Sequence, residues 1–424
     1  MSMSCKIEKS QLNGEVVCPA SKSYTHRAVF LSALSDGKSI VKNALYSSDT
    51  RATIDACKTF GVDVHESGDV ISIDNSINLE GEGGIIDVVN SGTTIRIATA
   101  IAAISPNKTI LSGDSSIRNR PMKPLLDSLE SLGAKCISDN GCPPITISGR
   151  IKGGEVKIKG DISSQFVSAL LIIAPRLDNG LILNIDGTIV SKPYIDSTIA
   201  SMEKFGVEVE VIEKYKKYKI KHQIYKPTEF SIPSDFSNLA LLLSAAVLVG
   251  NNLNIKISMG DLPQGDELFI DILEKMGVIV TLKNDSISIK TPVKLDGGKF
   301  DLGNTPDLLP PLAILALKSQ NPIWIYNVAH ARFKESDRIK IIAREIKKIG
   351  IRVEEKEDGI VLYPPEKITA AKLDSENDHR LFMAFCICGM YVGNCIVTNS
   401  ESVEVSYPNF ISDISKIGGK VIQA

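Results

Sequence analysis

The run Ala329–Arg338, A-H-A-R-F-K-E-S-D-R, crowds two cations and two carboxylates into five residues: Lys334, Glu335, Asp337 and Arg338. Directly behind it, Ile339, Ile342, Ala343, Ile346 and Ile349 recur at helical spacing, which predicts a helix with Ser336 as its N-cap. Lys334 and Glu335 would then stand at a helix N-terminus, where unpaired N–H groups and the macrodipole favour anions. Cations added to that end make a receptor for a strongly anionic ligand. Taken alone, the same run is also a solvated charged turn that does no more than start a helix.

Other polar clusters interrupt the apolar pattern where connections fall. Ser21, Lys22, Ser23, Tyr24, Thr25, His26 and Arg27 precede the apolar run Ala28–Leu34, so Lys22 and Arg27 can bear on one anion with serine hydroxyls beside them. A capped helix explains that stretch as well. Asn90, Ser91, Gly92, Thr93, Thr94 and Arg96 combine hydroxyls with a glycine that permits close backbone approach. Arg118 and Arg120 sit in a Pro-flanked loop, Arg118 reading as a surface arginine and Arg120 as a site cation. Ser163, Ser164 and Gln165 open the run Phe166–Ala174, and Ser191, Lys192, Pro193 and Tyr194 open another; both suit a polyhydroxylated ligand. Asp307 is a lone carboxylate at a helix start, either a cap or a site acid, and Asn377, Asp378, His379 and Arg380 add one more cation with a carboxylate next to it. If Lys22, Arg27, Arg96, Arg120, Lys334, Arg338 and Arg380 converge, like charges about 4 Å apart repel by roughly 4 kcal/mol at an effective dielectric of 20. The empty site is then expected to be disfavoured, and a multiply charged phosphate or carboxylate ligand to draw it closed.

What must position these clusters is a repeat. A helical apolar period ends at a glycine and gives way to alternating apolar residues at Gly61, Gly133, Gly206, Gly277, Gly350 and Gly418, spaced by 72, 73, 71, 73 and 68 residues. So even a period marks an internal repeat, longer than a solenoid turn, and predicts six small α/β modules, three per lobe, with the chemistry in the cleft between lobes. The polar stretch Tyr225–Asp235 reads as one crossing between lobes and the region of Pro19 as another, which predicts a discontinuous lobe of residues 1–18 plus 234–424 and a second of 19–233.

Composition removes other classes. A chain of 424 residues with 43% apolar and 23% charged residues is an ordinary globular protein, and a net charge of −2 lacks the basic field of a nucleic-acid binder. Eight cysteines without a CxxC pair read as reduced and buried, and five histidines complete no zinc set, so no metal is expected even at Cys386 and Cys388. The start, M-S-M-S-C-K-I-E-K-S, has no apolar segment of a signal peptide, and the longest apolar run, Leu239–Val249, is too short to span a bilayer. A cytoplasmic monomer acting on small molecules is expected, with no membrane and no nucleic-acid partner. The glycine-rich stretch Glu80–Gly84 lacks the context of a dinucleotide site, and no P-loop occurs, so ATP and NAD are not supported.

Taken in order, S-K-S at Ser21, N-S-G-T at Asn90, R-P at Arg120, S-S-Q-F at Ser163, S-K-P-Y-I-D at Ser191, E-K-M-G at Glu274, P-D at Pro306, K-E-S-D-R at Lys334 and N-D-H-R at Asn377 resemble the 5-enolpyruvylshikimate-3-phosphate synthase family over essentially the whole chain. The resemblance implies the two-lobed enolpyruvyl transferase fold with six βαβαββ units. It implies transfer of the enolpyruvyl (carboxyvinyl) group of phosphoenolpyruvate to the 5-hydroxyl of shikimate 3-phosphate, with no cofactor. By motif, Lys22, Ser23, Arg27, Ser163, Ser164, Gln165, Ser191, Tyr194, Asp307, His330 and Lys334 would surround shikimate 3-phosphate. Lys22, Asn90, Gly92, Arg120, Gln165, Arg338 and Arg380 would hold phosphoenolpyruvate. Asp307 would take the hydroxyl proton, Glu335 would protonate the methylene carbon, and Lys22 would stand between the substrates. Addition followed by elimination needs such an acid and base, and fixed cations around the departing phosphate. Two positions depart from the family: Val405 stands where a lysine usually precedes the aromatic-Pro pair, here Tyr407-Pro408, and His330 stands where some members carry Asn.

Three other readings compete. The related transferase acting on UDP-N-acetylglucosamine shares the repeats but commonly carries a loop cysteine near the Arg120 position, and Ser115–Pro124 has none. A ligand-binding relative with weakened catalysis is supported only by Val405. An RNA-end-processing enzyme of similar repeats would need a basic groove, against which the net charge speaks.

Overall fold

The computed structural model describes residues 3–75, 79 and 81–423; the first two residues of the N-terminal stretch and Glu80 of the glycine-rich stretch lie outside it. Thirteen α-helices run through the described residues: α1 (Lys22–Leu34), α2 (Ser48–Thr59), α3 (Gly92–Ala102), α4 (Ser115–Arg118), α5 (Lys123–Ser131), α6 (Ser164–Ile173), α7 (Pro193–Lys204), α8 (Phe236–Val249), α9 (Leu268–Lys275), α10 (Leu309–Ile314), α11 (Arg338–Lys347), α12 (His379–Val392) and α13 (Phe410–Lys416). The chain divides into two compact units, one of Met1–Pro19, Ser234–Met259 and Gly265–Ala424, the other of Ala20–Pro233 and Gly260–Gln264.

Each unit holds three four-stranded sheets of one design. In the second unit, Gly84–Asp87 runs parallel to Thr109–Ser112 with α3 as the crossover. The hairpin Lys135–Asp139 and Cys142–Ser148 then adds two antiparallel strands beyond α5. The expected βαβαββ unit is thus present six times, and the six glycines do the same work in each. Gly61, Gly133, Gly206, Gly277, Gly350 and Gly418 all have φ between 77° and 104°, which ends a helix at little steric cost and turns the chain into the strand that follows.

Three sheets are completed by strands distant in sequence. Leu12–Val17 joins Gly250–Lys256, Ser4–Ile7 lies between Cys395–Thr398 and Val421–Gln423, and Glu229–Ser231 joins Lys38–Lys42. That last strand lies inside the polar stretch Tyr225–Asp235, so the segment read as a plain connector also finishes a sheet.

Two kinds of helix follow from two kinds of sequence. α11 alternates Ile339, Ile342 and Ile346 with charged residues and buries one face. All fourteen residues of α8 are buried, as are Tyr24–Leu34 of α1 and His379–Met390 of α12. Such helices are buried all round because other elements surround them. In the first unit α8, α10 and α12 pack on one another, and in the second α3 packs on α1 and α6. Cys386 and Cys388 are part of this core. Among the described residues no helix is long and apolar enough to cross a membrane.

Candidate active site

In the second unit the polar clusters sit at helix starts. Lys22 and Ser23 open α1, Gly92 opens α3 behind the N-cap Ser91, Ser164 and Gln165 open α6 behind the N-cap Ser163, and Tyr194 lies in the first turn of α7. Ser191, ahead of α7, holds φ +56° and its carbonyl accepts from the Tyr194 N–H. Contacts link α1 to both α3 and α7, and α6 to both α3 and α7, so these starts belong to one packed group of helices.

Arg27 lies one turn into α1 and is only 3% exposed. Its guanidinium donates to Thr198 Oγ1 at 2.9 Å, to the Ser23 carbonyl at 2.9 Å and to the Tyr194 carbonyl at 3.0 Å. All are neutral acceptors, and no carboxylate among the described residues lies within ion-pair distance. Burial accordingly pulls its pKa down, against the partial compensation of Tyr24 and Tyr194. A buried cation held by neutral groups alone would gain from an added anion.

Lys22 is different, since its Nζ meets Asp49 Oδ2 at 2.9 Å. Asp49 lies in the first turn of α2, behind the capping box of Ser47 and Thr50, and nothing in the sequence spacing pairs it with a lysine in another helix. His26 donates or accepts at Nδ1 against Thr53 Oγ1, 2.6 Å away, and burial, with Lys22 and Arg27 nearby, holds it neutral.

A second group gathers around Gly92. Arg96 donates to Gln165 Oε1 at 2.5 Å and to the Gly92 carbonyl at 3.1 Å, with its guanidinium over the Phe166 ring. Gln165 Nε2 donates to Thr93 Oγ1. Arg120, buried ahead of α5, reaches Asn90 Oδ1 at 3.4 Å. A Cβ on Gly92 would overlap Nη1 of both Arg120 and Arg96, so glycine is what lets two guanidiniums approach this helix start. Arg118 is exposed, as expected, with its Nε on the Gly113 carbonyl.

The first unit gathers its charges around Arg338, which is 1% exposed. Nη1 meets Asp307 Oδ1 at 2.8 Å, Nη2 meets Glu335 Oε2 at 2.7 Å, and Nε meets Asp378 Oδ2 at 2.7 Å. Burial alone would favour loss of the charge, but Asp378, Glu335 and Asp307 overrule it and raise the pKa. Asp307 is also 3.6 Å from Lys334 Nζ and 3.2 Å, through Oδ2, from Arg380 Nη2. It is therefore no helix cap: it lies in a 3-10 turn, Pro306–Leu308, with its carboxylate spread over three cations.

Two expectations are corrected here. The N-cap of α11 is Asp337, which accepts from the Lys340 N–H; Ser336 instead donates its hydroxyl to Asp378 Oδ2 at 3.0 Å. A carboxylate next in line is the stronger acceptor for a helix N-terminus, and the buried Asp378 takes the serine. The anticipated repulsion among cations is also offset within this unit, because Asp307, Glu335 and Asp378 match Lys334, Arg338 and Arg380. Asp378 further caps α12, accepting from the Arg380 and Leu381 N–H groups.

His330 is buried in the turn Ala329–Phe333, which packs on the Asp307 turn. Burial first and Lys334 second push its pKa down to about 4, against the pull of Asp307, so the ring is neutral and its Nε2, unpartnered among the described residues, can serve a ligand hydroxyl. Val405 is buried at the end of the turn Ser400–Val405, so no cation stands there. Among the described residues no His, Cys, Asp or Glu group is arranged to hold a metal.

The fold is shared with solved enolpyruvyl transferases. The EPSP synthase from Acinetobacter baumannii superposes with a TM-score of 0.81 at 22% identity over all of both chains, and the enolpyruvyl transferase NikO from Streptomyces tendae with 0.78 at 16% identity over 100% of this chain and 99% of that one. These likenesses define the fold. The family model described as EPSP synthase (3-phosphoshikimate 1-carboxyvinyltransferase) matches residues 7–414. A 3-phosphoshikimate 1-carboxyvinyltransferase of Nitrosopumilus maritimus is 56% identical over 419 residues, 99% of each chain, and one of Methanosphaera stadtmanae 40% identical over 96% of this chain and 98% of its own. The chain belongs to the EPSP synthase family.

Proposed function

We propose that this chain acts as its family and its relatives of the same name do: it transfers the enolpyruvyl group of phosphoenolpyruvate to the 5-hydroxyl of shikimate 3-phosphate, giving 5-enolpyruvylshikimate 3-phosphate and phosphate. The observation that carries the reading is Arg27, a buried guanidinium whose partners are all neutral, among helix starts rich in hydroxyls. That chemistry suits a phosphorylated polyol. With it, Lys22, Ser23, Ser163, Ser164, Gln165, Ser191 and Tyr194 take shikimate 3-phosphate, joined by His330 and Lys334. Asn90, Gly92, Arg120, Arg338 and Arg380 take phosphoenolpyruvate, with Lys22 and Gln165 serving both.

The reaction is an addition and an elimination. Asp307 removes the 5-hydroxyl proton as the oxygen bonds to C2 of phosphoenolpyruvate, while Glu335, protonated once the charge of phosphoenolpyruvate has taken its place on Arg338, gives that proton to the methylene carbon. The C2–O bond to phosphate then breaks, Glu335, now a carboxylate, takes back a methyl proton, Asp307 gives its proton to the departing phosphate, and the arginines hold that phosphate. The ion pairs of Asp307 support its role, because they fix its carboxylate beside the cations that would hold the charges of the substrates. One chain supplies every residue assigned, and the cysteines are free, which suits a monomer in the reducing cytoplasm.

The test is phosphate release from phosphoenolpyruvate with shikimate 3-phosphate as acceptor. Asp307→Asn and Glu335→Gln should each lower turnover by about 10²- to 10⁴-fold while shikimate 3-phosphate still binds. No release from the unaltered protein would sink the activity, and undiminished turnover in either variant would remove that residue's role.

A further inference from the structure

The turn Gly265–Glu267 precedes α9 and packs on α8, and the turn that carries Asp307 packs on the same helix. Asp266, in the first of these turns, is 6% exposed and accepts the hydroxyl hydrogen of Ser237 from the first turn of α8. Among the described residues it has no ion pair. The groups facing it are Asp307 and Asp235, both acids, and Arg380, which is already engaged with Asp307 Oδ2. The remaining charges nearby are its neighbour Glu267 and those of α9, Asp271, Glu274 and Lys275. Asp307 takes all three cations of the cluster. A buried carboxyl that is left without one keeps its proton. Burial chiefly, and the charge of Asp307 next, push the Asp266 pKa up to about 7, against the Ser237 hydrogen bond and Arg380.

We propose that Asp266 is a positioning residue for Asp307: a second acid, seated on Ser237, that stays neutral while Asp307 is charged and releases its proton to water when Asp307 takes one up. Arg380 then faces one negative charge, on Asp307 or on Asp266, at every stage of the cycle. Arg380 is never left without a facing carboxylate, and Asp266 takes its proton back when Asp307 gives its own up. Such a pair titrates as a unit. The role rests on the reading of Asp307 as the base, but the pairing itself can be measured without turnover.

The direct measurement is carboxyl ¹³C NMR of protein labelled at aspartate, titrated from pH 5 to 9 (about neutrality on either side). The unaltered protein should show one carboxyl titrating near neutrality that is lost in Asp266→Asn, and in Asp307→Asn its midpoint should fall by about one unit or more, because the like charge is gone. Should Asp266→Asn not fold, Ser237→Ala serves instead, and there the midpoint should rise as the hydrogen bond to the anion is lost. A near-neutral titration that survives Asp266→Asn, or that stays put in Asp307→Asn or Ser237→Ala, overturns the pairing. Turnover against pH reads the role: Asp266→Asn should lose an inflection near neutrality. An inactive Asp307→Asn together with an Asp266→Asn profile that superposes on the unaltered one defeats this inference alone, whereas an active Asp307→Asn defeats the assignment of the base.

Discussion

Asp378→Ala should unfold the first unit early. Asp378 and Arg338 are 0% and 1% exposed in their side chains, with Nε to Oδ2 at 2.7 Å and Nη2 to Oδ1 at 3.3 Å. Breaking a buried pair costs about 3–5 kcal/mol, and the lower end applies because Glu335 and Asp307 still face the guanidinium. Loss of the α12 cap, two N–H groups at 3.0 and 3.3 Å, adds about 1 kcal/mol. The sum is roughly 4 kcal/mol, which on a slope of about 2–3 kcal/mol per molar urea lowers the midpoint by about 1.5 M. The only tryptophan, Trp324, stands in a strand of the same unit with Lys299 Nζ over its ring, so its fluorescence reports that transition. Asp378→Asn, which keeps an acceptor for the cap, should lose about 1 kcal/mol less than the alanine variant. A midpoint for Asp378→Ala within error of the unaltered protein would refute the account of Arg338 as a cation held by three acids.

Three further outcomes are expected. Gly92→Ala should push the Arg120 and Arg96 guanidiniums aside and raise KM for phosphoenolpyruvate by about tenfold or more, with a smaller change for shikimate 3-phosphate; equal changes for both would count against the division of residues. Asp49→Asn should free Lys22 from its 2.9 Å partner and lower kcat/KM by about 10- to 100-fold, checked by steady-state kinetics, and no loss would make the pair incidental. The stability difference between the unaltered protein and Asp266→Asn should depend on pH. The unfolded chain releases the Asp266 proton near 3.8 and the folded one near 7, so stability conferred at low pH is lost as pH rises between those values, by of order 4 kcal/mol in all. Asparagine has nothing to release, so urea midpoints at pH 5 and pH 8 (roughly the two sides of the transition) should differ less in the variant, and equal differences would contradict the buried acid.

Much of this was open to reading in the chain alone. Gly61, Gly133, Gly206, Gly277, Gly350 and Gly418 announced the six units because a left-handed helix end and a change from helical to alternating periodicity are local properties, written in adjacent residues. The helix-start clusters at Lys22, Asn90, Ser163, Ser191 and Arg380 were visible for the same reason. Which cation meets which acid was not. Ser336 and Asp337 are both good caps, and only the approach of Asp378, some forty positions away, gives the serine hydroxyl another acceptor. Asp49, in the first turn of α2, and Asp266, in a short turn ahead of α9, carry no mark of their partners in the sequence. Burial and ion pairing depend on which segments the packing of helices brings together, and pairwise electrostatics over a few ångströms carries no mark in sequence spacing. So the chain by itself determined the repeats and the kinds of group available for chemistry, while the tertiary structure decided that Arg27 is buried among neutral partners, that Arg338 is shared by three carboxylates, and that Asp266 is left without a cation.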